Sequence, residues 1–261
     1  TIKVKTNTRE KLLKLIGAQT AARPTDLARI LKVSPQALHR QINLLLETGD
    51  IERRGRPPHT TYVLAGVPDF SSALTWSSQN DPPKGTHLEV SETRDVLAAR
   101  LSPFKAFLKQ GLSPQLLPLL VSATGEVGNN SFDHNLGQWK DAPGCWMEVQ
   151  ITGDKLWIVI ADRGQGIFRS LARVDSQITT EQVAIETAFE KFLSGRAPEK
   201  RGNGLKFVKN IIAGAPQRGL ACVSGKARVN FGDQGEACSA VLEKSVPKAV
   251  GTITLMVWGL K

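Results

Sequence analysis

Two alternating apolar segments, residues 145–152 and 155–161, stand between two helical stretches whose ends carry the chain's most distinctive polar residues. That arrangement leaves few folds open. The first helix is expected over residues 114–134 and the second over 203–213, with a shorter one over 95–101 and further strands near 220–224, 227–231 and 252–258. Helices mixed with a mostly antiparallel sheet indicate an α+β protein, here an α/β sandwich.

Three short segments stand out where these elements end. Glu126, Asn130 and His134 are spaced i, i+4 and i+8, which puts all three on one helical face. A carboxylate and a carboxamide one turn apart can position a water and a magnesium ion, since Mg²⁺ takes oxygen ligands and keeps several waters. A solvated helix face is the plain alternative. Asp162 follows the apolar run 156–160, where a carboxylate can accept a hydrogen bond from an exocyclic amine, and Gly164 and Gly166 would let the backbone approach a ligand. A simple glycine turn would look the same. Gly202, Gly204 and Leu205 open the second helix, whose free amides and dipole suit phosphate groups. Gly251 and Thr252 close the series.

The first quarter of the chain differs in charge. Residues 1–66 hold 12 Lys and Arg against 5 Asp and Glu, so +7 of the net +10 lies there, and a polyanion is its natural partner. Leu12, Leu13, Leu15 and Ile16 mark a first helix, and Thr25 with Asp26 a start signal for a second that runs to Lys32. Ser34 and Pro35 are a strong start for a third, buried through Leu38, Ile42, Leu45 and Leu46, with Gln36, His39, Arg40 and Asn43 on its other side. After Gly49, residues 51–64 read as two short strands around a basic Gly/Pro tip that holds Arg53, Arg54 and Arg56. Over residues 8–64 this resembles the winged helix-turn-helix domain of bacterial transcription regulators. The resemblance implies a third helix in the major groove of double-stranded DNA, with Gln36, Arg40 and Asn43 facing base edges and His39 alongside. Arg53, Arg54 and Arg56 would meet phosphates or the minor groove. A protein-interaction domain with a solvated basic face is the alternative.

Residues 67–85 read as a linker, although Trp76 suggests that part of it packs on a domain, and residues 86–261 form the second domain. Taken in order, its three segments resemble the GHKL, or Bergerat-fold, ATP-binding family, which includes gyrase, histidine kinases and anti-sigma kinases. The pattern E-x-x-x-N-x-x-x-H is nearest the anti-sigma kinase branch. The resemblance implies ATP and Mg²⁺ as cofactors, Asn130 as the Mg²⁺ ligand, and Asp162 with Thr252 at adenine. Gly164, Gly166, Gly202, Gly204 and Leu205 would shape the pocket and phosphate loop, and Glu126 would be the general base. Residues 167–201 would be the ATP lid, with a helix capped at Thr179–Gln182 and running to Leu193, and with Arg196, Lys200 and Arg201 able to meet phosphates.

The two modules together imply an ATP-binding, weakly ATP-hydrolysing DNA-binding regulator, homodimeric because two-fold half-sites call for it. An anti-sigma-like protein serine/threonine kinase acting on a protein partner is the first alternative. A non-catalytic nucleotide-bound scaffold is the second. Cys145, Cys222 and Cys238 suggest neither a disulfide framework nor a zinc site, and no apolar run approaches the ~18 residues of a membrane span, so a cytoplasmic protein away from membranes is expected.

Overall fold

Ser34 and Pro35 start a helix for the reason the sequence suggests. In the computed structural model, which describes residues 8–18, 22–81, 87–190, 203–243, 246 and 248–260, the Ser34 hydroxyl accepts the Ala37 N–H at 3.2 Å and Pro35 opens α3 (Pro35–Glu47). Pro24 likewise opens α2 (Pro24–Leu31), but Arg23 is its cap residue and no side chain caps it. Thr25 and Asp26 therefore lie inside the first turn rather than before it, and Asp26 pairs with Arg29 at 3.2 Å. With α1 (Thr8–Ala18) and the antiparallel strands β1 (Ile51–Arg54) and β2 (Thr61–Leu64), these helices enclose a core of Leu12, Ile16, Leu27, Leu38, Ile42, Leu45 and Tyr62. Ala22 adds a bridge to Tyr62 through two backbone hydrogen bonds.

The chain divides into two units between Asp69 and Phe70. The stretch read as a linker thus belongs to both: residues 71–78 form helix α4 (Ser71–Ser78), whose Ala73, Leu74 and Trp76 are buried in the second unit. After it come β3 (Val90–Ser91), α5 (Arg94–Leu101), a 3-10 helix (Ser102–Gln110), α6 (Leu116–Asp133), β4 (Cys145–Thr152), β5 (Lys155–Asp162), α7 (Gly166–Ala172), α8 (Glu181–Glu190), α9 (Gly204–Ala213), β6 (Arg218–Ser224), β7 (Ala227–Phe231), α10 (Gly235–Glu243) and β8 (Thr252–Gly259).

The sheet order is β3-β4-β5-β8-β6-β7, and every described pairing is antiparallel, where the sequence suggested a mixed, mostly antiparallel sheet. Both faces are covered. Leu156, Ile158, Ile160, Leu220, Cys222 and Met256 pack under α6, α8 and α9, whereas Trp157, Val159, Ala221, Val223, Ile253 and Leu255 pack under α4 and α10. This explains why β5 reads as an almost unbroken apolar run, since a strand buried on both faces has no solvated side to alternate with. Among the described residues no helix is long and apolar enough to cross a membrane.

The expected lid is only partly a separate segment. Residues 166–190 form α7 and α8, and Ile185 and Phe189 of α8 belong to the main core. The cap of α8 is Thr180, whose hydroxyl accepts the Val183 N–H at 3.2 Å. Gln182 instead turns to the edge strand β7, donating to the Arg228 carbonyl at 3.0 Å and accepting its N–H at 3.2 Å. An edge strand so engaged presents fewer free backbone groups.

Candidate functional site

Strand register sets the floor of the site. Asp162 lies opposite Thr252, and Thr252 opposite Ser224, so β5, β8 and β6 align three polar residues in one row. Two residues along, on the same face, Ile160, Thr254 and Cys222 form the next row. α6 lies above this face and presents Glu126, Asn130, Ser131 and His134, while α9 brings Gly204 and Leu205 at its N-terminal end. The space between is a cavity of about 490 Å³.

Of the residues singled out in this half of the sequence, Glu126, Asn130, Asp162, Gly166, Gly204, Leu205 and Thr252 all line that cavity. Gly164 does not line it but donates its N–H to Asp162 Oδ1 at 2.9 Å. Gly202, Arg201, Arg196 and Lys200 lie outside the described residues. His134 lines the cavity but is tied to α7, with Nδ1 3.1 Å from the Ser170 hydroxyl. Burial, then the charge of Arg173, lowers its pKa, which favours a neutral imidazole.

Asp162 is 7% exposed, and burial pushes its carboxyl pKa up to about 6. The Gly164 amide, the Asn135 carboxamide at 3.5 Å and the Ser131 hydroxyl at 3.4 Å oppose that rise by donating to it. A carboxyl with a raised folded-state pKa is protonated in both states below the ordinary value of 3.8. As pH climbs from there through about 6, the unfolded chain releases the proton first, so stability is progressively lost and the full penalty is present above that range. Asp162→Asn, which cannot titrate, should therefore gain on wild type between pH 4 and pH 7 by up to about 3 kcal/mol, read from paired denaturation curves.

Several residues of the site left no mark in the sequence reading. Asn135 is the hub: its Nδ2 donates to the Ser131 carbonyl at 2.6 Å and its Oδ1 accepts the Gln165 N–H at 2.7 Å. Its place one residue after His134, four after Ser131, was the available signal. Ser224 accepts the Ile167 N–H at 2.9 Å and donates to the Gly251 carbonyl at 3.2 Å, which ties the start of α7 to β8. Arg94 of α5 lines the cavity and forms an ion pair with Asp133, at the end of α6. Two glycines stand in close approach, and at Gly251 it dictates the residue, because backbone rather than a movable side-chain end meets the Cβ. A Cβ on Gly204 would run into the Glu126 carboxylate, and one on Gly251 would meet the Asp162 backbone oxygen at 2.5 Å and Gly164 N at 2.6 Å.

Asn130 carries the one buried unpaired polar atom in this cavity among the described residues: its Nδ2 has no hydrogen-bond partner. Such an atom is expensive unless a ligand or water meets it. Neither a protein-family model, nor a curated protein, nor a solved structure matches the chain.

In the first unit, Gln36, His39, Arg40 and Asn43 are all exposed on α3, and Arg53 and Arg56 are exposed on and just beyond β1. Arg54 is not available in the same way. It is held at 2.6 Å by Asp69 and donates to the Val67 carbonyl at 3.2 Å, because successive side chains of a strand point to opposite faces.

Proposed function

We propose that the second unit binds ATP with Mg²⁺ in the cavity between α6, α9 and the sheet, as a GHKL-type domain. We further propose that the first unit is a winged helix-turn-helix that binds double-stranded DNA. The chain is then an ATP-binding, weakly ATP-hydrolysing, DNA-binding regulator. The observation that carries this reading is convergence: seven residues spread from Glu126 to Thr252 line one cavity, on the elements that the ligand chemistry requires.

The residues fit the ligand. Asp162 offers a buried carboxylate to an exocyclic amine, Thr252 a hydroxyl beside it, and the start of α9 free amides to phosphate oxygens. Among the described residues no group of three His, Cys, Asp or Glu side chains could hold a metal on its own. A Mg²⁺ ion would share Asn130 with water and the ligand's phosphates, whose charge it would neutralise. Arg94 is the cation that the described cavity wall supplies. Glu126, exposed at the mouth beside Gly204, is placed to take a proton from an attacking water.

Calorimetry with ATP and Mg²⁺, followed by phosphate release from the same sample, tests this. Glu126→Ala should keep ATP binding and slow phosphate release by about 10²-fold or more. No heat on adding ATP to wild type would sink the reading, and phosphate appearing on a protein instead of in solution would replace the ATPase by a kinase. For the first unit, affinity for duplex DNA should fall steeply with salt, and less steeply once Arg53 and Arg56 are replaced by alanine.

A further inference from the structure

Arg163, between Asp162 and Gly164, is fully buried, and all five of its guanidinium N–H groups have acceptors. Nε and Nη2 grip Asp141 at 2.7 and 2.6 Å, Nη2 also reaches the Asn80 carbonyl at 3.0 Å, and Nη1 reaches the carbonyls of Gln79, at 3.0 Å, and Trp76. The guanidinium carbon stands 5.7 Å from the centre of the Trp76 ring. One of those acceptors, Trp76, lies in the last turn of α4, where a helix leaves carbonyls without intrahelical donors and where a positive charge suits its dipole, and the other two, Gln79 and Asn80, are the two residues that follow the helix. A second bond acts at the same end: Val250, just before Gly251 and Thr252, donates its N–H to the Ser77 carbonyl at 2.8 Å.

The C-terminal end of α4 is thus held by donors one residue after Asp162 and two residues before Thr252, the two residues placed at the ligand's base on neighbouring strands. α4 is also the first helix of the second unit, joined at Phe70 to the last residue of the first. A buried guanidinium deprived of its carboxylate is strongly disfavoured, so the clamp resists loosening while Asp141 is in place. Resting on the ATP reading above, we infer that Arg163 is a positioning residue. It couples occupancy of the Asp162 site to the seating of α4, and a bound nucleotide tightens that helix.

Hydrogen exchange of residues 71–80 in the full chain, with and without ATP and Mg²⁺, tests the coupling, with calorimetry on the same preparations of wild type, Asp141→Asn and Arg163→Lys. In wild type, ATP should slow exchange in this segment by about fivefold or more, the low end of ordinary coupling between sites, whereas in Asp141→Asn it should bind yet change exchange by less than about twofold. Faster basal exchange in the variants would follow from a merely structural role; the loss of the ATP-dependent difference would not. If a variant fails to fold, the wild-type comparison with and without ATP decides. Wild type that binds ATP with unchanged exchange in residues 71–80 overturns the coupling and leaves the nucleotide reading standing, as does a full response in Asp141→Asn. Loss of ATP binding in Asp141→Asn would make the clamp part of the pocket itself and overturn its separate role. No ATP binding in wild type removes both readings.

Discussion

Asp162→Asn is expected to weaken ATP binding by about 100-fold while leaving the fold in place, because it removes a charged acceptor from a buried site and replaces half of it with a donor. Asparagine has the shape of aspartate and keeps one oxygen, which the Gly164 N–H, now 2.9 Å from Oδ1, would still claim. The other end of the carboxamide would then face the ligand's exocyclic amine, donor against donor, at a residue only 7% exposed. Stability is expected to respond in the opposite direction. Burial raises the Asp162 pKa to about 6, so near neutrality wild type bears the penalty of an ionised buried carboxylate that the asparagine variant lacks. A variant that binds ATP at least about 100-fold more weakly yet resists denaturation as well as wild type, or better, is the signature of a residue kept for its ligand. ATP binding within about threefold of wild type would mean that Asp162 does not contact the base.

The carboxylate could be read in the sequence because it stands at a boundary. An apolar run that stops at an acidic residue and then a pair of glycines has few structural explanations, and the structure places Asp162 at the end of β5 with Gly164 donating to it. β4 and β7 were legible with their limits, and α3 with its cap, since alternation and capping are local. α4 and α10 were not. The sequence of α4, with four serines and one threonine in eight residues, has no marked apolar stripe, and its helix is held by burial of Trp76 and by Arg163 rather than by pattern. The roles of Arg163 and Ser224 are made by partners 22 to 87 residues away, a separation no local motif records, and of Asn135's bonds only the one to Ser131 is local. Arg54 shows the converse: the three-arginine cluster reads as one basic surface, and only pairing with Asp69 withdraws one of its members.

Gly164→Ala should be the most damaging single-methyl change in the site. A Cβ at this position would overlap the Asn135 carboxamide, and Asn135 has nowhere to go. Its nitrogen is held by the Ser131 carbonyl at 2.6 Å and its oxygen by the Gln165 N–H at 2.7 Å. Retreat of the backbone is blocked as well, because Gly251 packs so closely that its own missing Cβ would lie 2.6 Å from Gly164 N. Overpacking of this kind costs about 1–3 kcal/mol. Each buried hydrogen bond that breaks in relieving it, including the one that orients Asp162, adds roughly 1–3 kcal/mol. We therefore expect a loss of about 3–5 kcal/mol in denaturant unfolding, with no measurable ATP binding by calorimetry. Gly125→Ala is the matched control: it lies within α6, its Cβ would make only an ordinary 3.5 Å contact with Leu101, and its φ is not in the left-handed region. There the same methyl should stabilise the helix by up to about 1 kcal/mol. Equal effects at the two positions would mean that the Asp162–Asn135–Gly164 packing is softer than its geometry implies and that the pocket is not preformed.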